Sequence, residues 1–377
     1  MRIEDFKAGK YINQYQYRSF LPEKIDHEWI ISTPDINSLL SDANRLIGEL
    51  NAFSQLIPDV DYFIKMHITK EATTSSKIEG TKTNIEDVLI KKEDISPEKR
   101  DDWNEVQNYI NAINFSMTEL EKLPISNRLI RNTHKVLLQE VRGEKKNPGE
   151  FRKSQNWIGA TLKDAIYIPP PQSEVRDLMA DLESFLNDHK ILTPHLIRIA
   201  IAHYQFETIH PFLDGNGRIG RLLITLYLVS NGILNKPSLY LSDFFEKNRI
   251  NYFDNMMIAR TKNNLSQWIK FFLVGIIETA SSSINVFKRI IILREKVEIG
   301  KISKMGSKAK RGMILIKSLY QNPIIDSNSI CALLDVAPST ANRLIVDFQK
   351  EGILEELTGF KRNRKYIFRE YFEIFQK

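Results

Sequence analysis

The amino-acid sequence predicts a mainly α protein that has a short β-hairpin within its helical core and a winged-helix module at its C-terminal end. Three observations support this fold class. Apolar side chains recur every three or four residues over most of the first 300 residues, which is the period of amphipathic helices. Residues 151–171 interrupt this period with two short apolar runs and end in three prolines. In residues 305–377, two strand patterns follow three helix patterns.

Several segments of the helical part carry the amphipathic period. Gly80 and Gly232 each follow one of them, at the position where a helix often ends in a left-handed conformation. We expect an N-terminal helical region over residues 1–95, a core over 96–300 and a C-terminal module over 305–377. The predicted helices of the first two regions include residues 36–53, 62–79, 103–120, 175–189, 194–208 and 219–231.

The predicted hairpin precedes the helix at residues 175–189. Its strands are residues 156–159 and 165–168, and Lys163 and Asp164 lie in the turn. A short hairpin on a helical protein has a free edge, and a free edge can pair with an extended peptide. An ordinary loop that connects two helices is the alternative interpretation.

The C-terminal module has the sequence pattern of a winged helix. Helices are predicted at residues 308–320, 327–334 and 339–350, and strands at 353–357 and 365–368. We expect DNA binding through the third helix and the wing, with protein contact or dimerisation as the alternative use of this fold. The residues expected to face DNA are Ser339, Thr340, Asn342 and Arg343 on the third helix and Lys361, Arg362, Arg364 and Lys365 on the wing.

The net charge of the chain is concentrated at its C-terminal end. The 377 residues have a formal charge of +6, and residues 301–377 contain 14 Lys and Arg against 8 Asp and Glu, which is the whole excess. A basic appended module indicates an anionic partner, and nucleic acid is the first candidate. Solvated lysines on a stable small domain are the simpler alternative.

The composition predicts a soluble, cytoplasmic protein. Hydrophobic residues make up 42% of the chain and charged residues 27%, which is typical of globular proteins. Cys331 is the single cysteine, which excludes an internal disulfide framework. The N-terminus has no apolar signal core, and no run of about 18 uncharged apolar residues is present. We therefore expect neither secretion by a standard signal nor a membrane span.

The residues from His210 to Arg221, HPFLDGNGRIGR, lie between two predicted helices. Glycines let a backbone approach an anion, the start of a helix offers free N–H groups, and arginines donate paired hydrogen bonds to phosphate. This pattern predicts a phosphate site in which His210 can act as a base. Asp214 is suited to hold Mg²⁺ together with nucleotide phosphates, because Mg²⁺ commonly takes one carboxylate and completes its shell with phosphate and water.

The surrounding sequence disfavours three other sites. Glycines 215, 217 and 220 match a dinucleotide fingerprint, but that fingerprint follows a strand, and a helix is predicted here. A Walker-type loop requires Gly-Lys followed by Ser or Thr, which is absent. His195, His203 and His210 lack the spacing of a zinc motif.

His210 to Arg221 matches the complete signature of the Fic domain family, and the chain resembles that family. The resemblance implies a mostly helical core and transfer of AMP from ATP to a hydroxyl side chain of a protein. It implies that His210 is the general base, that Asp214 binds Mg²⁺ and that Arg221 holds the γ-phosphate. The residues implied to surround the nucleotide phosphates are Gly215, Asn216, Gly217, Arg218, Ile219, Gly220 and Arg221.

The resemblance extends to residues 75–80, SSKIEG, which match the inhibitory motif of the family: Ser or Thr, three residues, Glu, then Gly or Asn. In family members this glutamate pairs with the last arginine of the signature and blocks productive ATP binding. Here Glu79 would pair with Arg221, with Ser75 one helical turn earlier on the same face and Gly80 completing the motif. The resemblance therefore predicts an enzyme that its own Glu79 inhibits.

The resemblance also implies further contacts and partners. The hairpin is similar to the flap that pins an extended target segment over the active site, and Ile166 and Tyr167 are expected to line the nucleotide pocket. Tyr252 is the expected adenine contact. The expected partners are ATP, Mg²⁺, a target protein with a Ser, Thr or Tyr hydroxyl, and a second copy of the chain. The alternatives are transfer of UMP, phosphocholine or phosphate, removal of AMP, and a DNA-binding regulator that uses the Fic domain as a sensor.

Overall fold

The computed structural model describes residues 1–359 and 363–376. The chain begins with a hairpin that the sequence did not predict, in which β1 (Gly9–Asn13) pairs antiparallel with β2 (Arg18–Pro22). Helices follow, and the bounds of the predicted ones agree with the predictions to within three residues. They are α1 (Pro34–Leu56), α2 (Asp61–Ile78), α3 (Ile85–Leu89), α4 (Arg100–Leu120) and α5 (Asn127–Leu137).

The predicted hairpin within residues 151–171 is present, with shorter strands than predicted. β3 (Ile158–Gly159) pairs antiparallel with β4 (Ala165–Tyr167). The N–H of Phe20 in β2 donates to the carbonyl of Ile168, just beyond β4, at 2.9 Å. The N-terminal hairpin is therefore hydrogen-bonded to the β3–β4 hairpin. The next helices are α6 (Val175–Asn187), α7 (His195–Ile209), α8 (Asn216–Ser230), α9 (Ser242–Lys247), α10 (Arg249–Lys262) and α11 (Leu265–Arg294).

Helix α7 is the centre of the fold. Every residue from Leu196 to Ile209 is buried, so the helix is surrounded by protein on all sides rather than along one face. It packs against α6, α8 and α11, and the indole N–H of Trp268 in α11 donates to the carbonyl of Ala200 at 2.8 Å. The connection between α7 and α8 is therefore held from several directions.

Helix α11 belongs to the longest apolar segment of the chain. Among the described residues, Leu265–Lys304 is the one segment long and apolar enough to cross a membrane, and half of its most apolar window is buried inside the protein. The core helix of a soluble protein has the same length and composition. The segment is thus weak support for a membrane span.

The C-terminal part contains the predicted helices and strands together with two elements that were not predicted. The additional elements are strand β5 (Ile324–Asp326) and helix α15 (Arg369–Gln376), and the sheet order is β5–β7–β6 with antiparallel pairs. Assignment as a winged helix stays a prediction, and the predicted wing residues Lys361 and Arg362 lie outside the described residues. The other elements are α12 (Ala309–Gln321), α13 (Ser327–Leu334), α14 (Pro338–Lys350), β6 (Glu355–Glu356) and β7 (Lys365–Ile367).

Helix α2 lies between this C-terminal part and the core. On one side it packs against α4, α8 and α9, and on the other against α12 and α15. The ring of Phe63 in α2 contacts Tyr320 of α12 with centroids 4.9 Å apart, and His67 contacts Phe375 of α15 at 5.2 Å. The residue that follows α2 is Glu79, so this packing determines where Glu79 lies.

Candidate active site

The candidate site is built at the connection between α7 and α8. His210 ends α7 in the left-handed conformation, with φ 52°, and its N–H donates to the carbonyl of Phe206 at 2.9 Å. Gly215 is also left-handed, with φ 75°, and α8 begins at Asn216. Because the chain turns at these two left-handed residues, the last turn of α7 and the first turn of α8 lie beside one another.

The loop between the two helices is fixed by side chains that bond to its backbone. The side-chain oxygen of Asn216 accepts the N–H of Phe212 at 2.8 Å, and its Nδ2 donates to the carbonyl of Phe212 at 2.9 Å. Nε of Arg152 donates to the carbonyl of His210 at 3.0 Å, and Nδ2 of Asn156 donates to the carbonyl of Phe212 at 2.8 Å. Asn216 therefore orders the loop from inside, while Arg152 and Asn156 hold it from the segment before the hairpin.

His134 of α5 is a further support of this loop. The N–H of Gly149 donates to its Nδ1 at 2.8 Å, so the ring proton is on Nε2, which donates to the carbonyl of Asp214 at 2.9 Å. The ring stacks on Phe212 with centroids 3.8 Å apart, and burial lowers the pKa of His134 to about 4. Sequence reasoning missed His134, Arg152 and Asn156 because they bind backbone atoms and lie far from the motif in sequence.

The imidazole of His210 is neutral at physiological pH. Burial lowers its pKa to about 4, against the opposing effects of the Glu207 main-chain carbonyl and the Glu79 carboxylate. Its side chain keeps 20% of its surface exposed. A neutral imidazole at a partly open position is in the protonation state that a general base requires.

Arg221 of α8 is buried and bonded to the end of α2. Its Nη2 donates to Oε1 of Glu79 at 2.7 Å and to the carbonyl of Ser75 at 3.0 Å, and its Nε donates to the hydroxyl of Ser75 at 2.8 Å. Burial is the largest single effect on the pKa of Glu79 and raises it, but Arg221 together with Arg218 and His210 lowers it, so the net shift is downward. The ion pair implied by the sequence resemblance is present, and Gly80 follows it with φ 102°.

The Glu79 carboxylate lies on the first turn of α8. A Cβ at position 217 would overlap with Oε1 of Glu79, so the carboxylate reaches this place because residue 217 is glycine. An anion is thus already seated at the start of α8, beside Arg221. This arrangement fits the predicted phosphate cradle, because a carboxylate and a phosphate use the same donors.

Asp214 and Arg218 lie at the other side of the same turn. Oδ1 of Asp214 accepts the N–H of Gly215 at 2.6 Å, and the side chain stays 41% exposed. Nη2 of Arg218 is 3.5 Å from Asp214, its Nη1 is 3.6 Å from Glu105, and its Nε and Nη1 have no hydrogen-bond partner. The described residues contain no group of three or more His, Cys, Asp or Glu that could hold a metal ion. Magnesium binding by Asp214 stays a prediction.

The remaining predicted residues are distributed on both sides of the site. Ile219 is buried in α8, and the carbonyl of Gly220 accepts a hydrogen bond from the ring of His203 at 2.9 Å. Ile166 is 68% exposed, but Tyr167 is buried and its hydroxyl donates to the carbonyl of Thr208 at 2.6 Å. Tyr167 consequently lies in the core, and its contact with the nucleotide stays a prediction.

Tyr252 is also buried, below the site. Its ring stacks on Phe245 with centroids 4.3 Å apart, and its hydroxyl is 2.9 Å from Nε2 of His203. Tyr252 thus packs among core side chains, which include Phe245 and His203. An adenine contact by Tyr252 stays a prediction.

Two family models match consecutive parts of the chain. The model described as Fic/DOC family N-terminal matches residues 37–118, and the Fic/DOC family model matches residues 124–228. The chain belongs to the Fic family. Together the two Fic matches span about half of the chain, from α1 to the end of α8, and they include both Glu79 and Arg221.

Curated relatives carry the same family name. The chain is 31% identical over 201 residues to protein adenylyltransferase Fic from Drosophila erecta, covering 51% of this chain and 37% of the relative. It is 31% identical over 218 residues to the protein of that name from Drosophila grimshawi, covering 54% and 41%. The match thus spans about two fifths of the length of these relatives.

Solved structures have the same fold over longer stretches. A Fic family protein from Desulfovibrio desulfuricans aligns with a TM-score of 0.57 and 20% identity, covering 89% of this chain and 96% of that one. Fic-1 from C. elegans aligns with a TM-score of 0.51 and 22% identity, covering 68% of this chain and 73% of that one. These similarities confirm the predicted mainly α fold of the Fic core.

Proposed function

We propose that this protein is an adenylyltransferase that transfers AMP from ATP to a hydroxyl side chain of a target protein and of itself. The observation that carries the proposal is the position of the Glu79 carboxylate, which lies against Gly217 and bonds to Arg221. His210, which is neutral, lies a few residues before Gly217 in the same motif. An anion site beside a base is what nucleotidyl transfer requires. The curated relatives that carry the name protein adenylyltransferase support the same reaction.

The proposed step uses residues of the α7–α8 connection. His210 takes the proton of the target hydroxyl while its oxygen attacks the α-phosphorus of ATP. A phosphorus–oxygen bond forms, the bond to the β-phosphate breaks, and pyrophosphate leaves. Arg218, Arg221 and the first N–H groups of α8 bind the phosphate oxygens and stabilise the charge that develops on them. Asp214 would hold Mg²⁺, which supplies further neutralisation of phosphate charge.

We propose that Glu79 inhibits this reaction. The γ-phosphate and Glu79 would need the same donors of Arg221, so both cannot bind in full at once. The Glu79→Gly variant should therefore raise transfer of label from α-labelled ATP, including self-labelling. Adding His210→Ala to that variant should lower transfer by about 100-fold or more, because the general base is removed.

The measurement is incorporation of label into the purified chain and into proteins of a lysate. Wild type gives the inhibited level, and Glu79→Gly with His210→Ala gives the background. Absence of label from both wild type and Glu79→Gly would contradict the proposed transfer. If UTP labels Glu79→Gly and ATP does not, the transferred group is UMP rather than AMP. Loss of AMP from a prelabelled protein would instead support removal as the activity.

We propose a cytoplasmic setting and a homodimer for this chain, in line with the expectations from the sequence. The target protein carries a Ser, Thr or Tyr hydroxyl and binds the flap between β3 and β4 as an extended segment. Ile158 of β3 and Ile166 of β4 are exposed apolar side chains of the flap that are available for that contact. Light scattering of the purified chain tests the dimer, and a single-chain mass would contradict it.

DNA binding by the C-terminal part is the second candidate function. Ser339, Asn342 and Arg343 are exposed on α14, and this part holds the excess positive charge of the chain. If α14 contacts DNA, Arg343→Ala should weaken the mobility shift that the full chain causes in DNA. The affinity for DNA should also fall steeply as the salt concentration rises. Arg176→Ala, at an exposed position of α6, is the control that should leave the shift unchanged. If both variants weaken the mobility shift equally, or if no shift occurs at low salt, α14 does not contact DNA.

A further inference from the structure

Glu207 is a buried carboxylate that the sequence analysis did not single out. It lies on α7 three residues before His210, and its Oε2 is 4.0 Å from Nδ1 of His210. Oε1 of Glu207 and Nδ1 of His210 are both buried without a hydrogen-bond partner. Buried polar atoms are nearly always bonded, so an unbonded ring nitrogen with a carboxylate oxygen, Oε2 of Glu207, 4.0 Å away requires an explanation.

The space for this carboxylate is provided by α8. A Cβ at position 220 would overlap with Oε1 of Glu207, so the side chain fits because residue 220 is glycine. Glycine inside a helix is unfavourable compared with alanine, and Gly220 is not in a left-handed conformation that would require it. The glycine is therefore best explained by the room that it leaves for Glu207.

We propose that Glu207 is a positioning residue that holds the His210 ring through Nδ1 and stabilises the imidazolium that forms during transfer. The inference rests on the proposed function, because it assigns His210 as the base. With the Nδ1 proton facing Glu207, Nε2 is the nitrogen free to take the proton of the target hydroxyl. The ring then carries a positive charge, and the Glu207 carboxylate compensates it, as the carboxylate does in serine hydrolase triads. A small rotation shortens the 4.0 Å separation to a hydrogen bond.

The charges around the pair favour this role once the inhibitory glutamate has left. Arg221, Glu79 and Arg260 face Glu207, and Glu79, Arg152 and Arg260 face His210. Burial raises the pKa of Glu207 to about 7, with Arg221 opposing and Glu79 adding to the rise. Glu79→Gly removes a neighbouring negative charge, so a larger share of Glu207 should be ionised in that variant before ATP binds.

The test uses the full chain with Glu79→Gly as the active reference. Glu207→Gln should lower kcat for AMP transfer about tenfold or more and leave KM for ATP within about twofold, because the carboxylate acts through His210 and not on the nucleotide. Glu207→Asp keeps the charge and should recover part of the loss. The Glu79→Gly reference should lose activity as the pH falls through the pKa of Glu207. The pH–rate profile should not show this loss when Glu207→Gln is added. Equal kcat and an unchanged pH profile in Glu207→Gln would overturn the inference.

A second readout does not depend on activity. In the wild-type chain labelled with ¹⁵N-histidine, the ring nitrogens of His210 should shift as Glu207 titrates near neutral pH, and this shift should be absent in Glu207→Gln. Identical shifts in both would mean that the Glu207 main-chain carbonyl alone holds the ring, which also overturns the inference. If Glu79→Gly transfers no AMP but the His210 shift depends on Glu207, the proposed function fails while the contact stands.

Discussion

At the scale of single residues, the proposed phosphate-binding groups come from one motif, and groups from other parts of the chain hold the backbone of its loop. His210, Asp214, Arg218 and Arg221 lie within one short motif, so their spacing alone indicated an anion site beside a base. His134 acts from another helix through backbone atoms of the loop, and no spacing rule connects it to the motif. Contacts of this kind depend on tertiary packing, which local patterns do not contain.

Ser75 provides a test of how strongly Arg221 is held. Its hydroxyl accepts Nε of Arg221 at 2.8 Å, and both groups are buried. Ser75→Ala removes a hydrogen bond to a charged group and leaves that Nε without a partner, so unfolding free energy should fall by about 1.5–3 kcal/mol. Because the Arg221 end of the inhibitory contact is loosened, AMP transfer should rise above wild type and stay below Glu79→Gly. Urea unfolding and label transfer measure the two effects.

Ser76 offers a matched control for that experiment. It is the next residue of α2 and equally buried, but its hydroxyl has no hydrogen-bond partner. Ser76→Ala makes the same chemical change in the same helix and should cost no stability. If the two variants destabilise the protein equally, the Ser75 hydroxyl does not hold Arg221.

At the scale of elements, the six helices named from the amphipathic period are present, but α5, α9, α10 and α11 of the core were not individually predicted, nor were the directions of the hairpin side chains. The amphipathic period and the glycines that follow α2 and α8 gave helix bounds close to the observed ones. The expectation that Ile166 and Tyr167 both line the pocket stays a prediction, although the two side chains lie on opposite faces of β4. Adjacent strand residues point to opposite faces, so with Ile166 exposed, Tyr167 must turn inward, where Arg260 stacks on its ring at 3.4 Å.

The elements that the sequence did not predict are those stabilised by distant contacts. Strand β1 is mostly exposed and lacks a clear alternation, and its partner β2 is held where Phe20 packs near Tyr167, with ring centroids 6.3 Å apart. Helix α15 contains Tyr371, Phe372 and Phe375, and aromatic residues are more frequent in strands. As a helix, it buries these rings against α2, α11 and α12. These contacts form only in the folded chain, so the local sequence pattern could not predict the helix.

At the scale of the whole molecule, helix α2 packs against two parts of the protein. The core side of α2 carries Ser75 and leads to Glu79, while Phe63 and His67 contact the C-terminal part. Lys365 of β7 also pairs with Asp94 at 2.7 Å, and Arg369 of α15 pairs with Glu86 at 3.2 Å, in the segment after α2. Helix α2 thus connects Glu79 to the C-terminal part, and we expect the position of Glu79 to depend on how that part packs.

Tyr371 is the side chain through which this coupling can be tested. Its ring is fully buried between Phe63, at 6.0 Å, and Tyr320, at 5.3 Å, and its hydroxyl donates to the carbonyl of Tyr320 at 2.8 Å. Tyr371→Ala should lower the free energy of unfolding by about 3–5 kcal/mol through the lost ring, and Tyr371→Phe by about 1 kcal/mol through the lost hydrogen bond. With one side of α2 loosened, the Glu79–Arg221 pair is less populated, so Tyr371→Ala should transfer more AMP than wild type below its unfolding midpoint. A loss of stability with transfer still at the wild-type level would mean that α2 is held by the core alone.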